Sequence, residues 1–500
     1  MLKIKNLTVT DNKGRILVRD FSFVLNKGDK IALIGEEGNG KSTLLKIMAG
    51  IDVSSYASYT GKVERKGTVG YLPQHLSDEQ LEMNVEDFIS TEIDYNLLYQ
   101  AFNRALISYE IYEGRKMATL SGGERVKISL LRILYHDPDI ILMDEPTNDL
   151  DLKTLIWLEE FILNCDLPLI FVSHDETLLE NCANGILHIE QLKRKTEAHL
   201  TYSGQNYREY IESRNAFIGR NNMIASKEKA QFRKQLEKWR RIYQKVEHQQ
   251  RTITRQDPHG GKMLKKKMHT VKAQERQLEE KKKDLTEKYE AEEAINIFFD
   301  QIDINPNKVI LDLHLDELCV SGKTLSHDID LYVSGKDKIC IIGDNGTGKS
   351  TLIKIIRDLL KERNDIKLGY MPQNYDEVLD YDSDVIAYLW DGRKKDDLSM
   401  IRSYLGALRF TTEEMEHPIR ELSDGQKCKV LLMKLIIGHC DVLLLDEPTR
   451  NLSPLSGPKV RQILNEFKGC IISVSHDRKF IEEVAETLYR LSTDGLVKID

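Results

Sequence analysis

Two glycine-rich stretches decide the fold: residues 35–42 are GEEGNGKS, and residues 343–350 are GDNGTGKS. Both have the spacing G-x-x-x-x-G-K-S, in which glycines let successive backbone N–H groups point into one concavity that holds phosphates. Each stretch follows an apolar run, Lys30–Ile34 or Lys338–Ile342, that is typical of a buried strand. The sequence therefore predicts two P-loops, each placed between a strand and a helix whose positive end faces the phosphates.

Further motifs recur in the same order in both halves of the chain. They are LSGGE at 120–124 and LSDGQ at 422–426, MDEP at 143–146 and LDEP at 445–448, and a histidine at 174 and 476. The members of each pair are 302 residues apart. A constant offset predicts two copies of one domain, each about 200 residues long. We call residues 1–205 the first repeat and 303–500 the second repeat, and residues 206–302 form the segment between them.

Each repeat alternates short apolar runs with helical segments. Central strands buried on both faces are expected at 140–143, 169–173, 442–445 and 470–475, and helices at 42–49 and 350–360. We predict an α/β fold with two P-loop NTPase domains, each built on a parallel sheet with its ligand site at the carboxyl edge.

The middle segment has a different character. Between Arg214 and Arg276 there are 18 Lys or Arg residues against 5 Asp or Glu, although the whole chain carries a net charge of −8. Such a concentration favours a polyanionic partner over an ordinary solvated face. The candidate contacts are Arg233, Lys234, Lys238, Arg240, Arg241, Arg251, Arg255, Lys262, Lys265, Lys266 and Lys267.

The same segment carries apolar stripes at helical spacing. They are Phe232, Leu236, Trp239, Tyr243 and Val246, and then Leu264, Val271, Leu278 and Leu285. We predict an α-helical coiled-coil hairpin, about 60 Å long at 1.5 Å per residue, with its tip near 250–268. Pro258, Gly260 and Gly261 are expected to form the turn.

The motif residues suggest phosphoryl-transfer chemistry. A lysine of each P-loop reaches the β- and γ-phosphates, and the next serine binds Mg²⁺. The aspartate at the end of each buried strand suits the Mg²⁺ side of the site, because a buried carboxylate is costly without a cation. The following glutamate, Glu145 or Glu447, could polarise an attacking water. His174 and His476 are interpreted as γ-phosphate contacts, and we predict that all four are catalytic.

A P-loop, an isolated Gln, an LSGGE-type signature, an Asp-Glu pair and a His, in this order, resemble the motif set of ABC ATPases. The resemblance implies that the repeats close head to tail over two ATP molecules, so that Lys41 faces Ser423 and Lys349 faces Ser121. The residues predicted to bind ATP are Gly35, Gly38, Gly40, Lys41, Ser42, Thr43, Gln74, Ser121, Gly122, Gly123, Gly343, Gly346, Gly348, Lys349, Ser350, Thr351, Gln373, Ser423 and Gly425. The residues predicted to bind Mg²⁺ are Ser42, Gln74, Asp144, Ser350, Gln373 and Asp446.

Two such domains joined by a basic helical hairpin resemble the ABC-F subfamily, whose members act on the 70S ribosome. The resemblance implies a cytoplasmic monomer whose linker enters the tRNA exit site beside ribosomal RNA and P-site tRNA. Residues 449–456, TRNLSPLS, replace the usual Thr-Asn-x-Leu-Asp of the D-loop, which residues 147–151 keep. This replacement resembles the antibiotic-resistance members, which displace lincosamide, streptogramin A and pleuromutilin drugs.

Other functions stay open at this point. A housekeeping ABC-F factor for stalled ribosomes is the first alternative. The ATPase subunit of a membrane exporter and a DNA-handling ATPase with a coiled coil are further ones. The sequence has no apolar run long enough to span a bilayer, and MLKIKNLTVT lacks the apolar core of a signal peptide.

The two sites are expected to be unequal. Glu37 stands where the second P-loop has Asn345, Asp424 replaces a glycine of the signature, and Ser453 replaces the carboxylate that Asp151 supplies. The extra negative charge predicts slower hydrolysis at the Lys41 site. Because no aromatic residue precedes either P-loop at the usual adenine position, GTP is expected to be accepted as well.

Overall fold

The computed structural model describes residues 1–107, 114–148, 150–191, 197–252, 258–289, 299, 304–320, 322–390, 392 and 395–499. The chain forms two compact units. One contains both repeats, Met1–Tyr207 with Glu292–Asp500, and the other is the segment Arg208–Ala291.

The first repeat is built on a six-stranded sheet of order β5-β6-β7-β3-β8-β9, parallel except for β9. An antiparallel sheet of order β2-β1-β4 adds a second layer. The strands are β1 (Leu2–Asp11), β2 (Ile16–Leu25), β3 (Lys30–Ile34), β4 (Ala57–Arg65), β5 (Val69–Leu72), β6 (Ile140–Met143), β7 (Leu169–Phe171), β8 (Gly185–Gln191) and β9 (Glu197–Ser203). The helices are α1 (Lys41–Ala49), α2 (Asp78–Glu82), α3 (Val85–Ile89), α4 (Tyr95–Ala105), α5 (Gly122–Tyr135), α6 (Leu152–Asn164) and α7 (Glu176–Cys182).

The helical segment contains two long helices, α8 (Tyr207–Thr252) and α9 (Pro258–Lys283). They pack side by side: the indole N–H of Trp239 donates to the carbonyl of Val271 at 3.0 Å, and Gln250 donates to Leu264 at 3.3 Å. Val246 and Val271 are buried, as the predicted apolar stripes require.

Two details of the predicted hairpin were wrong. Pro258, Gly260 and Gly261 do not form the turn, because α9 already begins at Pro258. Proline suits a first helical turn, where its missing N–H would have no partner anyway. Leu285 lies beyond the end of α9. Residues 253–257, which include Arg255, lie outside the described residues.

The second repeat has the same main sheet, of order β13-β14-β15-β12-β16-β17, with a two-stranded sheet β10-β11 beside it. The strands are β10 (Val309–Val320), β11 (Lys323–Ser334), β12 (Lys338–Ile342), β13 (Leu368–Met371), β14 (Val442–Asp446), β15 (Cys470–Val474), β16 (Thr487–Ser492) and β17 (Gly495–Ile499). The helices are α10 (Lys349–Lys361), α11 (Val385–Trp390), α12 (Lys395–Ala407), α13 (Thr412–Glu416), α14 (Asp424–Ile437), α15 (Gly457–Glu466) and α16 (Arg478–Val484).

The predicted α/β fold is confirmed. β6 and β14 are buried along their whole length, because parallel strands with helices on both faces require apolar side chains on each side. The P-loops connect β3 to α1 and β12 to α10, at the carboxyl edge of each sheet. Within the ranges described above, no helix is both long enough and apolar enough to cross a membrane.

Candidate nucleotide sites

The P-loop of the second repeat folds around its lysine. The lysine Nζ of Lys349 donates to the carbonyl oxygens of Gly343 and Asp344, both at 2.8 Å. Gly348 precedes α10 with φ of 96°, a left-handed conformation that glycine adopts without strain. A Cβ at this position would also come within 2.7 Å of the Leu318 side chain. Burial lowers the pKa of Lys349, and an anionic ligand beside it would favour its charged form.

A cavity of about 630 Å³ lies against this P-loop and is lined by both repeats. The second repeat contributes Lys349, Ser350, Thr351, Gly346, Gly348, Gln373, Asp446, Glu447 and His476, and the first contributes Ser121, Gly122 and His174. The signature of the first repeat and the P-loop of the second therefore line one cavity, as the predicted head-to-tail arrangement requires. Its apolar lining is aliphatic and includes Val320 and Leu325.

Three polar atoms in this cavity have no hydrogen-bond partner among the described residues. They are one carboxylate oxygen of Asp446, Oδ1, and both ring nitrogens of His476. Burial raises the pKa of Asp446 although Ser350 donates a hydrogen bond to it. Burial, with the Lys349 charge, lowers the pKa of His476 to about 4. A buried hydroxyl–carboxylate pair with an unsatisfied oxygen fits a Mg²⁺ site, since hard cations prefer oxygen ligands.

The catalytic candidate Glu447 lies in the same pocket. Burial, together with the charge of Asp446, raises the pKa of Glu447 to about 8. One carboxylate oxygen accepts the backbone N–H of His476 at 3.2 Å. This carboxyl is suited to hold a water or share a proton beside a phosphate.

The Lys41 site contains the same residue types, but here the aspartate and the histidine both have hydrogen-bond partners in the protein. The Lys41 ammonium donates to the carbonyls of Gly35 and Glu36 at 2.9 and 3.2 Å. Ser42 donates to Asp144 at 3.0 Å, and the Tyr71 hydroxyl donates to the other oxygen at 3.1 Å. The predicted Mg²⁺ ligands Ser42 and Asp144 therefore lie together.

Glu145 has three partners of its own. It accepts from Gln74 at 2.6 Å and from Asn148 at 2.8 Å, and it lies 3.2 Å from the Nε2 of His174. The other nitrogen of His174, Nδ1, lies 2.7 Å from the carbonyl of Leu452 in the second repeat. Burial opposes ionisation of Glu145, but the hydrogen bond and charge of His174 outweigh it and lower the pKa of Glu145 to about 2.

Two glutamates of the first P-loop cross to the second repeat. The carboxylate of Glu36 accepts from Ser456 at 2.6 Å, from Ser453 at 2.7 Å and from Lys429 at 2.9 Å. The carboxylate of Glu37 accepts the backbone N–H of Gly425 in the signature. A Cβ on Gly425 would come within 2.8 Å of this carboxylate, so the close approach requires glycine.

The D-loop of the first repeat contacts the P-loop of the second repeat, but here the carboxylate and its partners are on the opposite sides of the contact. Asp151 accepts the backbone N–H of Thr154 at 2.9 Å, and the backbone of Asn345 also bonds to it. Lys153 pairs with Asp344 at 2.7 Å. Here the D-loop supplies the carboxylate, whereas at the Lys41 site the P-loop supplies it through Glu36.

Asp424, which was expected to add charge at the signature, instead accepts from Lys427 at 2.9 Å. Its side chain is 65% exposed. The carboxylate that approaches the signature backbone is that of Glu37.

The remaining predicted residues lie on the same elements. Thr43 is in the first turn of α1, Ser121 and Ser423 cap α5 and α14, and Gly123 packs against Thr154. The sequence interpretation missed Glu36, Lys429 and Ser456. Glu36 aligns with Asp344 when the two P-loops are compared. Which of the two contacts the other repeat depends on how the repeats pair.

Comparisons with known proteins agree with this geometry. The family model described as ABC transporter matches residues 18–148 and 326–450, about half of the chain. The ATP-binding protein Uup of Buchnera aphidicola subsp. Schizaphis graminum is 28% identical over 99% of this chain and 82% of its own length. ABC transporter F family member 5 of Arabidopsis thaliana is 26% identical over 99% of this chain and 75% of its own length.

A solved structure also shares the tandem fold. It is titled as a complex of the archaeal ribosomal stalk protein aP1 and the archaeal ribosome recycling factor aABCE1. It aligns with a TM-score of 0.62 and 15% identity over 98% of this chain and 90% of that chain.

Proposed function

Because the chain belongs to the ABC transporter family and is thus an ATP-hydrolysing P-loop enzyme, we propose that it is an ABC-F ATPase that binds ribosomes in its ATP state. ATP closes the two repeats, which pair within one chain, and hydrolysis releases the ribosome. The protein acts in the cytoplasm, where its partner is found. Relatives named as F family members, aligned over almost the whole chain, support the assignment.

The basic surface of the helical segment carries the ribosomal part of the proposal. Ten of the eleven candidate Lys and Arg residues lie in described positions, and all ten are exposed. Exposed cations beside a phosphate backbone release counterions, which supplies affinity without requiring a base sequence. A membrane exporter subunit would have no use for this surface.

At the Lys349 site, hydrolysis is assigned to the residues that line the cavity. Ser350, Asp446 and Gln373 would hold Mg²⁺, which neutralises charge on the β- and γ-phosphates when bound. Lys349 binds the phosphates, and Glu447 orients the attacking water. The two ring nitrogens of His476 have no hydrogen-bond partner among the described residues. One of them would donate to the γ-phosphate. Ser121 and the N-terminus of α5 approach the same phosphate from the first repeat.

Ribosome co-sedimentation of the Glu145→Gln, Glu447→Gln double variant tests this proposal. We expect pelleting with 70S ribosomes in ATP but not in ADP, because the variant closes and cannot hydrolyse ATP. Replacing Lys265, Lys266 and Lys267 by Gln should weaken ribosome binding. A plot of the logarithm of the binding constant against the logarithm of salt concentration should become less steep, by about one unit of slope for each lost phosphate contact.

The matched control replaces three exposed lysines of the first repeat, Lys27, Lys62 and Lys66, by Gln. This variant should pellet like the parent. If the trapped parent stays in the supernatant at low salt, the ribosomal function is wrong.

The finer part of the proposal is antibiotic protection, with the linker reaching the tRNA exit site and displacing lincosamide, streptogramin A and pleuromutilin drugs. The D-loop sequence at 449–456 supports it by resemblance. Expression in a susceptible bacterium should raise the inhibitory concentrations of these drugs, and the Glu145→Gln, Glu447→Gln variant should not. Unchanged inhibitory concentrations, with ribosome binding intact, would favour the housekeeping role.

A further inference from the structure

Four charged side chains that do not line the nucleotide cavity link the two repeats. The guanidinium of Arg461 on α15 binds both carboxylate oxygens of Glu176 on α7, at 2.8 and 3.2 Å. The guanidinium of Arg478 on α16 lies 2.5 Å from Glu159 on α6 and 3.0 Å from Asp175. The side chains of Arg461, Glu176, Glu159 and Arg478 are only 3, 10, 12 and 21% exposed.

These residues occupy equivalent positions in the two repeats. At the offset of 302 residues, Glu159 corresponds to Arg461, and Glu176 corresponds to Arg478. The pair 461–176 is therefore the mirror image of the pair 478–159. A pseudo-twofold relation brings the same two positions together twice, once from each repeat.

The charges at these positions are opposite in the two repeats. If two first repeats from different chains paired in this way, Glu159 would face Glu176 twice. If two second repeats paired, Arg461 would face Arg478 twice. Repulsion between like charges is stronger when they are close together and buried than when they lie at the exposed edge of an interface. Pairing of two first repeats and pairing of two second repeats are therefore both disfavoured.

We propose that this charge inversion is a pairing code, which selects a repeat of the other kind as the partner and rejects the like repeat of a second chain. The inference deepens the intramolecular pairing proposed above and does not depend on the ribosome. A third position belongs to the code. Glu483 accepts from Arg461 at 2.8 Å, and its counterpart Asn181 donates to Glu159 at 3.3 Å.

The test uses three full-length variants. The acidic form gives the second repeat the residues of the first: Arg461→Glu, Arg478→Glu and Glu483→Asn. The basic form makes the reverse changes in the first repeat: Glu159→Arg, Glu176→Arg and Asn181→Glu. The exchange form combines all six substitutions and restores opposite charges across the 461–176 and 478–159 pairs.

Each one-sided form should lose at least about tenfold in ATPase activity, because both salt bridges become repulsive. The exchange form should recover most of that activity. An equimolar mixture of the acidic and basic forms should also recover activity, and light scattering should then show a species of twice the chain mass of 57.7 kDa in ATP. Neither form alone should dimerise.

The control reverses two arginines that have exposed partners within their own repeat. Arg104 pairs with Asp137, and Arg402 pairs with Glu416. The Arg104→Glu, Arg402→Glu variant should keep its ATPase activity. The code is refuted if a one-sided form stays active, or if the exchange form retains native circular dichroism but does not recover activity. Mass and ATPase readouts use no ribosome, so loss of ribosome binding alone would contradict only the proposed function.

Discussion

Removing the charge of Glu36 should weaken closure of the Lys41 site but leave the rate of ATP hydrolysis in the closed site nearly unchanged. The carboxylate has three partners, Ser453, Ser456 and Lys429, and all of them belong to the second repeat. Lys429 is 7% exposed and Glu36 is 17% exposed. Glu36→Gln keeps the size of the side chain but removes the carboxylate charge that pairs with this buried ammonium.

The expected magnitude follows from the loss of that buried charge pair. Breaking a buried pair by removing one partner costs about 3–5 kcal/mol, and the amide can still accept from a serine, so we take about 3 kcal/mol. This corresponds to roughly 100-fold in the closure equilibrium. Because ATP must then stabilise a rarer closed state, the KM for ATP at this site rises toward that factor, while kcat at saturating ATP changes less.

Steady-state ATPase measured against ATP concentration tests the expectation. A second substitution, Lys429→Met, removes the other member of the pair, so Glu36→Gln with Lys429→Met should lose less than the sum of the single variants. The control is Glu64→Gln, because Glu64 also pairs with lysines but only within the first repeat. A KM within twofold of the parent, together with additive single and double variants, would refute the assigned role of Glu36.

Three further outcomes are expected. The contacts of Glu36 with Lys429 and the two serines outweigh its burial and lower its pKa from 4.5 to about 2, so its stabilisation is complete above pH 4.5 and is lost as the pH falls toward 2. The difference in unfolding free energy between the parent and Glu36→Gln should therefore shrink by about 2 kcal/mol from pH 6 to pH 3 in urea titrations. Tyr207→Phe removes a buried hydrogen bond of 3.2 Å to the Pro454 carbonyl and should lower the unfolding free energy by about 1 kcal/mol in the same assay. Glu447→Gln should reduce ATPase activity more than Glu145→Gln does, and equal losses would contradict the inequality of the two sites.

Much of the fold could be predicted because the sequence patterns are local. β3, β6 and β12 begin and end where the apolar runs predicted them, since short buried strands admit few polar residues. The start of α9 was missed because Pro258 suits both a turn and a first helical turn. Local sequence alone does not distinguish these two conformations.

The contacts between the repeats could not be predicted from the motifs. Glu36 and Ser456 are separated by 420 residues, and their meeting depends on how two folded surfaces pair. The charge inversion at Glu159 and Arg461 could have been found from the offset of 302 residues, but its meaning requires the geometry that brings each to the other repeat. The sequence pattern within a helix or strand indicates its structure. Complementarity between residues of the two repeats can be recognised only once the paired structure is known.

At both nucleotide sites a carboxylate links the P-loop of one repeat to the D-loop of the other, but the two carboxylates come from different loops. At the Lys349 site the D-loop residue Asp151 reaches the P-loop backbone at Asn345, and at the Lys41 site the P-loop residue Glu36 reaches Ser453 in the D-loop. An aspartate at 453 would place a second carboxylate beside Glu36, so its replacement by serine removes a repulsion that the P-loop itself would create. Ser453 in the D-loop and Glu36 in the P-loop are therefore complementary replacements within one contact. The Lys41 site is held closed largely by protein groups, whereas at the Lys349 site Oδ1 of Asp446 and the ring nitrogens of His476 lack hydrogen-bond partners among the described residues and can bind a ligand.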